Sequence, residues 1–127
     1  MSTSSFKRFA ETGMQTEQKK LKGYQRKYLR ALAHPLKPVI LIGLRGVTDE
    51  VAVALKEALD RHELIKIKFV ESKSKADKNR MIEALQSATQ AHLVGMIGHT
   101  AIFFRQNADR DKQKISLPQR PDIQSSP

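Results

Sequence analysis

The apolar residues between Gln18 and Gln106 change their spacing repeatedly, from the three-to-four-residue step of a helix to the two-residue step or short unbroken run of a strand. Few architectures satisfy such alternation, because elements that are apolar on one side must share a sheet to bury it. Leu21, Tyr24, Tyr28 and Leu32 form a helical stripe and predict a first helix over Gln18–Ala33. His34 and Pro35 end it, since the residue before a proline is pushed out of helical conformation. Pro38–Ile42 is an apolar, β-branched run, predicted as a buried strand with its proline at the tolerated first position. Thr48 is an N-cap, Asp49 and Glu50 suit a first turn, and Val51, Leu55, Ala58, Leu59 and His62 give the second helix a core face.

Glu63–Val70 alternates Ile65, Ile67 and Phe69 with Lys66 and Lys68, which predicts a strand with one buried face and one wet, basic face. Ser72–Lys75 reads as a turn. A third helix follows to about Gln90, with Met81, Leu85 and Ala88 inward. His92–Gly98 and Thr100–Gln106 read as an antiparallel hairpin. Phe103 and Phe104 point to opposite sheet faces, which places one in the core and the other at the surface. The predicted class is α/β, in the order α-β-α-β-α-β-β: a four-stranded mixed sheet packed with three helices, its first two strands parallel. A chain of 127 residues with 39% hydrophobic content holds one such domain, here residues 17–106. Polar tails of residues 1–16 and 107–127 flank it, and Ile115 and Leu117 are the docking candidates in the second.

Charge narrows the function. Lys and Arg number 23 against 13 Asp and Glu, a net charge of +10. Lys19, Lys20, Lys22, Arg26, Lys27, Arg30, Lys37 and Arg45 fall between Gln18 and Thr48, a stretch without a single acid. The rest of the chain is nearly balanced, with 15 basic and 13 acidic groups. A solvated helix face ordinarily mixes signs, so a single-sign stretch points to an anionic partner. Lys19, Lys22, Arg26 and Arg30 recur at helical spacing, roughly 100–180° round from the apolar stripe. Lys37 extends this surface, and Lys66 and Lys68 are as consistent with plain solvation as with binding.

Gly43-Leu44-Arg45-Gly46 follows a strand and opens a helix. Glycines let the backbone turn tightly and approach a ligand, a helix N-terminus offers N–H groups to phosphate, and Arg45 forks onto phosphate. An isolated GxxG is most often an ordinary turn. This one lies inside the acid-free stretch, and a GxxG loop is a known clamp on nucleic-acid backbone.

Other classes are excluded or poorly supplied. The chain has no cysteine, hence no disulfide framework, zinc finger, iron–sulfur cluster or thiol nucleophile. No apolar run reaches the ~18 residues of a membrane span, and the N-terminus lacks a secretory apolar centre, so a soluble, cytoplasmic protein is expected. Neither GxGxxG nor GxxxxGK[ST] occurs. His34, His62, His92 and His99 have no metal-ligand spacing, and no Ser/His/Asp set can be assembled. Tyr24 and Tyr28 lie on the apolar stripe and read as core. Glu57 and Asp60, beside Lys56 and Arg61, read as surface pairing.

Taken in order, Leu32-Ala33-His34-Pro35-Leu36-Lys37-Pro38-Val39, the Gly43–Gly46 loop, His62-Glu63-Leu64-Ile65-Lys66-Ile67-Lys68 and Ile97-Gly98 resemble the CRM domain (chloroplast RNA splicing and ribosome maturation), more narrowly its stand-alone bacterial YhbY-like form. Lys114-Ile115-Ser116-Leu117-Pro118 is similar to that family's C-terminal end. The resemblance implies a fold like the C-terminal domain of translation initiation factor three. It implies RNA binding through Gly43, Leu44, Arg45 and Gly46 and the neighbouring basic surface, in precursors of the large ribosomal subunit. Two residues depart from the family pattern. Arg45 stands where a small polar residue is common and strengthens phosphate contact, and Phe104 stands where tyrosine is common and lacks its hydroxyl.

The expected function is therefore non-catalytic RNA binding by a monomer, with ribosomal RNA as partner and no cofactor, metal or small-molecule substrate. A DNA-binding architectural protein is the alternative. An RNA-acting enzyme is less well supplied, because the basic stretch offers no acid to serve as base or metal ligand. A module that binds only protein would show no nucleic-acid affinity.

Overall fold

The computed structural model of the protein describes residues 20–43, 45–70 and 74–119. The N-terminal tail, Lys19, Leu44, the turn residues Ser72 and Lys73, and the C-terminal tail from residue 120 lie outside the described residues. The elements follow the predicted order: α1 (Gly23–Ala33), β1 (Ile40–Ile42), α2 (Asp49–His62), β2 (Leu64–Phe69), α3 (Lys75–Thr89), β3 (His92–Ile97) and β4 (Thr100–Phe104). The sheet order is β1-β2-β4-β3, with β1 parallel to β2 and the other pairs antiparallel.

Strand alternation divides the core between two sheet faces. Ile42, Ile65, Ile67, Phe69, Ala101 and Phe103 meet Leu55 and Leu59 of α2 and Ile82 and Leu85 of α3. Leu64, Val94, Ile102 and Phe104 meet Leu21, Leu29 and Ala33 at α1. Phe103 and Phe104 are consequently both buried, contrary to the expectation that one would be exposed. A helix on each face removes the solvent side of that strand.

Several inward faces differ from their predicted ones. The buried line of α1 is Leu21, Gln25, Leu29 and Ala33, one residue round from the predicted stripe. Tyr28 and Leu32 are exposed and Tyr24 is half-buried. Two full sets of side chains recur at the same period, and a polar residue such as Gln25 carries no hydropathy signal of its burial. It is satisfied at both ends: Oε1 accepts from the Lys22 N–H (2.9 Å) and Nε2 donates to the Pro118 carbonyl (3.1 Å). The helix begins at Gly23 rather than Gln18. In α2, His62 is exposed, and in α3 Ala88 is exposed while Ile82 and Thr89 are buried. Both helices start at hydroxyl caps, Thr48 accepting from the Val51 N–H and Ser74 from the Asp77 N–H. The run Pro38–Ile42 yields only a three-residue edge strand, with Val39 and Leu41 exposed and Ile42 buried. Position at the sheet edge, rather than composition, sets its burial.

Residues 107–119, predicted as the start of a tail, fold back over the domain. Ile115 and Leu117 pack against the core cluster beneath α1. Glu63 holds this strap. It is 1% exposed, and its carboxylate accepts from the N–H groups of Asn107 (2.6 Å), Lys114 (2.7 Å) and Ile115 (2.9 Å). Asp60, predicted to pair along its own helix, instead pairs with Arg105, whose Nη1 also donates to the Thr89 carbonyl (2.8 Å).

His92, half-buried beside the strap, has its pKa pushed below the ordinary 6.5 by loss of hydration. The unfolded chain thus takes up this proton first as the medium is acidified. Stability is full above pH 6.5 and falls as pH drops below it toward the lower folded value. Urea denaturation on either side of that pH should show this slope, and His92→Gln should flatten it.

Candidate nucleic-acid interface

The Gly43–Gly46 loop leaves the end of β1 and closes on itself, the Gly46 N–H donating to the Gly43 carbonyl (3.1 Å). Gly46 has φ +70°, a left-handed conformation that glycine adopts without strain. A side chain at that position would also meet Met81 of α3, whose Cε lies 3.6 Å from an ideal Cβ. The loop is therefore braced from behind, and Arg45 is exposed at its tip. The helix that follows adds less than its position suggests. Thr48 already accepts from the Val51 N–H, and Asp49 and Glu50 answer the positive end of α2 with their own charge. With the Gly46 N–H engaged by the Gly43 carbonyl, the exposed charge that the loop presents is that of Arg45.

The basic residues of α1 do not form one continuous face. At about 100° per residue, Arg26 and Arg30 lie on one flank of the buried line, Tyr24, Tyr28 and Leu32 on the other, and Lys27 on the far side of the helix. Arg26 is partly engaged, its Nη1 donating to the Leu21 carbonyl (2.8 Å). The stem of Arg30 crosses β3 at Gly95, where an ideal Cβ would come within 3.2 Å of Arg30 Cδ. Glycine there, beside a bulge between Leu93 and Gly95, lets the arginine lie flat on the sheet. Lys22 stands at the far end of the helix, in a cleft of about 530 Å³ lined also by Lys20, His92 and Arg105. Lys37 stands at the other end, lining a hollow of about 510 Å³ with Leu32, Leu36, Val39 and His62. The predicted set thus separates, with Lys22 and Lys37 apart from the Arg30 flank.

The two strand lysines have different roles. Lys66 Nζ donates to the carbonyls of His34 (3.2 Å) and Leu36 (2.9 Å), and so caps the end of α1. Lys68 is exposed, with no ion-pair partner among the described residues. Among the described residues, no three metal-ligating side chains come together.

Comparison with known families adds the decisive observation: the model of the CRS1/YhbY (CRM) domain matches residues 21–105. The chain belongs to the CRM domain family. This CRM domain is 36% identical over 96 residues to a Haemophilus influenzae protein named "RNA-binding protein", covering 76% of this chain and 93% of that one. It is 35% identical over 98 residues to the Bacillus subtilis protein "Probable RNA-binding protein YqeI", covering 77% and 99%. The solution structure of SAV1595 from Staphylococcus aureus shares the fold, with a TM-score of 0.64, 32% identity and coverage of 77% and 99%. The matched span stops at Arg105, short of the strap that Glu63 fastens to the domain.

Proposed function

We propose that this CRM domain is a non-catalytic RNA-binding protein of the cytoplasm that acts as a monomer on precursor ribosomal RNA of the large subunit. The observation that carries the reading is the braced loop with Arg45 exposed at its tip, within a stretch of the chain that contains no acid. Relatives named for RNA binding support the choice of RNA over another polyanion. Arg45 and Arg30 hold phosphates, and the absence of a side chain at Gly46 permits close approach of the RNA backbone. Contacts of this kind read shape and charge more than base identity. A stretch free of carboxylates supplies no acidic residue to act as general base or metal ligand, which supports binding without turnover.

The test is sedimentation of the full-length protein in cell lysate through a sucrose gradient. At low salt it should travel with particles near the large subunit, and rising salt should release it, because each phosphate contact liberates a counterion. Absence from every ribosomal fraction at low salt would overturn the ribosomal assignment. Tighter binding to duplex DNA than to structured RNA at equal salt would favour the architectural alternative.

A further inference from the structure

α1 is about 16 Å long and covers only part of its sheet face. It lies over Leu64, Ile102 and Phe104, while Arg30 rests on Gly95 and Lys66 reaches the carbonyls after the helix. The next row of side chains on this face is Leu41, Lys68, Thr100 and Ile97, one from each strand. Their registers are continuous: Leu41 opposite Lys68, Lys68 opposite Thr100, Thr100 opposite Ile97. Nothing among the described residues covers this row, and Leu41 and Ile97 are 61% and 58% exposed.

We propose that unpaired nucleotides of the bound RNA lie in a shallow trough whose floor is this row. One wall is Arg30 of α1, whose stem crosses Gly95, and at one end β1 runs from Leu41 through Ile42 into Gly43. The inference rests on the RNA-binding reading and extends it to the strandedness of the ligand and to residues outside the acid-free stretch. Charge favours RNA as the occupant: Arg30 and Lys68 border the trough, while α1 and the floor contribute no acid. The acids Asp49, Glu50 and Glu57 gather instead around a separate hollow on α2. The apolar groups favour unpaired bases. A duplex presents phosphates and sugars to a shallow surface, whereas splayed bases offer flat apolar faces for Leu41 and Ile97 to cover. Two aliphatic residues flanking a lysine and a threonine suit a strand whose bases and phosphates both face the sheet.

The experiment measures fluorescence anisotropy of a short unstructured RNA, and of the same RNA annealed to its complement, with the full-length protein. The variants are Leu41→Ser combined with Ile97→Ser, Lys68→Gln, and Arg45→Glu as the loop reference. The double variant should lose roughly tenfold in affinity for the single strand and little for the duplex. Lys68→Gln should reduce the salt slope by about 0.7. Unchanged melting temperatures would show that both surface variants remain folded. The trough is overturned, and the loop reading kept, if Arg45→Glu loses binding while the floor variants bind the single strand like the parent. A preference of the parent for duplex also overturns it. If the parent binds neither RNA, the RNA-binding reading itself fails. A photocrosslinking residue at Ile97 that captures protein and no RNA from lysate would identify the row as a protein-docking surface and overturn the proposal.

Discussion

Glu63→Ala is expected to destabilise the domain by about 3 kcal/mol and to lower its melting temperature by about 15 °C. The carboxylate accepts from three backbone N–H groups of the strap, those of Asn107, Lys114 and Ile115, at 2.6–2.9 Å. Glu63 itself is 1% exposed and the bonds it accepts are part-buried, so its loss leaves three strap N–H groups without their acceptor at a site only partly open to water. The effect should spread beyond the site. Ile115 and Leu117 depend on the strap's course for their places in the core beneath α1, and Gln25 depends on it for the Pro118 carbonyl.

A backbone term acts in the opposite direction. Glu63 has φ +65°, which costs a residue with a side chain on the order of 1 kcal/mol. Glu63→Gly relieves that strain and removes the carboxylate together. It should still destabilise, but by less than Glu63→Ala. Equal or higher stability of the glycine variant in urea denaturation would show that the carboxylate contributes little. Glu63→Gln keeps an acceptor for part of the set and should fall between parent and alanine.

Arg45→Glu should reduce RNA affinity by roughly ten- to a hundredfold at moderate salt, with stability changed by less than about 0.5 kcal/mol. Arg45 is exposed at the loop tip and has no ion-pair partner among the described residues, so its charge is available to a ligand and contributes little to folding. Charge reversal removes one phosphate contact and sets a carboxylate against the neighbouring phosphates. Arg45→Lys keeps the charge but not the planar fork, and should lose only a few-fold. A filter-binding salt titration separates the two cases. Arg45→Glu should flatten the dependence of affinity on salt, whereas Arg45→Lys should leave its slope and shift its position. Unchanged affinity for Arg45→Glu would remove the loop from the interface.

Much of this architecture follows from local rules. The ends of α2 and α3 are legible at Thr48 and Ser74, whose hydroxyls cap N–H groups three residues on. The period-two spacing of Ile65, Ile67 and Phe69 marks a buried strand face wherever the strand is placed. The glycines of the loop, the acid-free run around it and the ordered motifs from Leu32 to Gly98 mark the family and the candidate binding loop before any packing is known.

What local rules leave open is which side of an element meets which neighbour. The α1 sequence carries two stripes at one period, and its contact with Leu64 and Ile102 selects the Gln25–Leu29–Ala33 line. Lys66 and Lys68 are equivalent in sequence, yet one caps α1 and the other lies bare beyond its edge, because the helix is too short to cover both. Glu63 reads as the first residue of a strand. Its work is done across 44 to 52 residues of chain, a separation that no local pattern spans. Leu41 and Ile97 become one surface only through the registers of three strand pairs. Periodicity and capping are short-range properties of a chain and can be read along it. Burial, partner choice and the continuity of a surface arise when distant segments exclude water together, and they exist only in the packed domain.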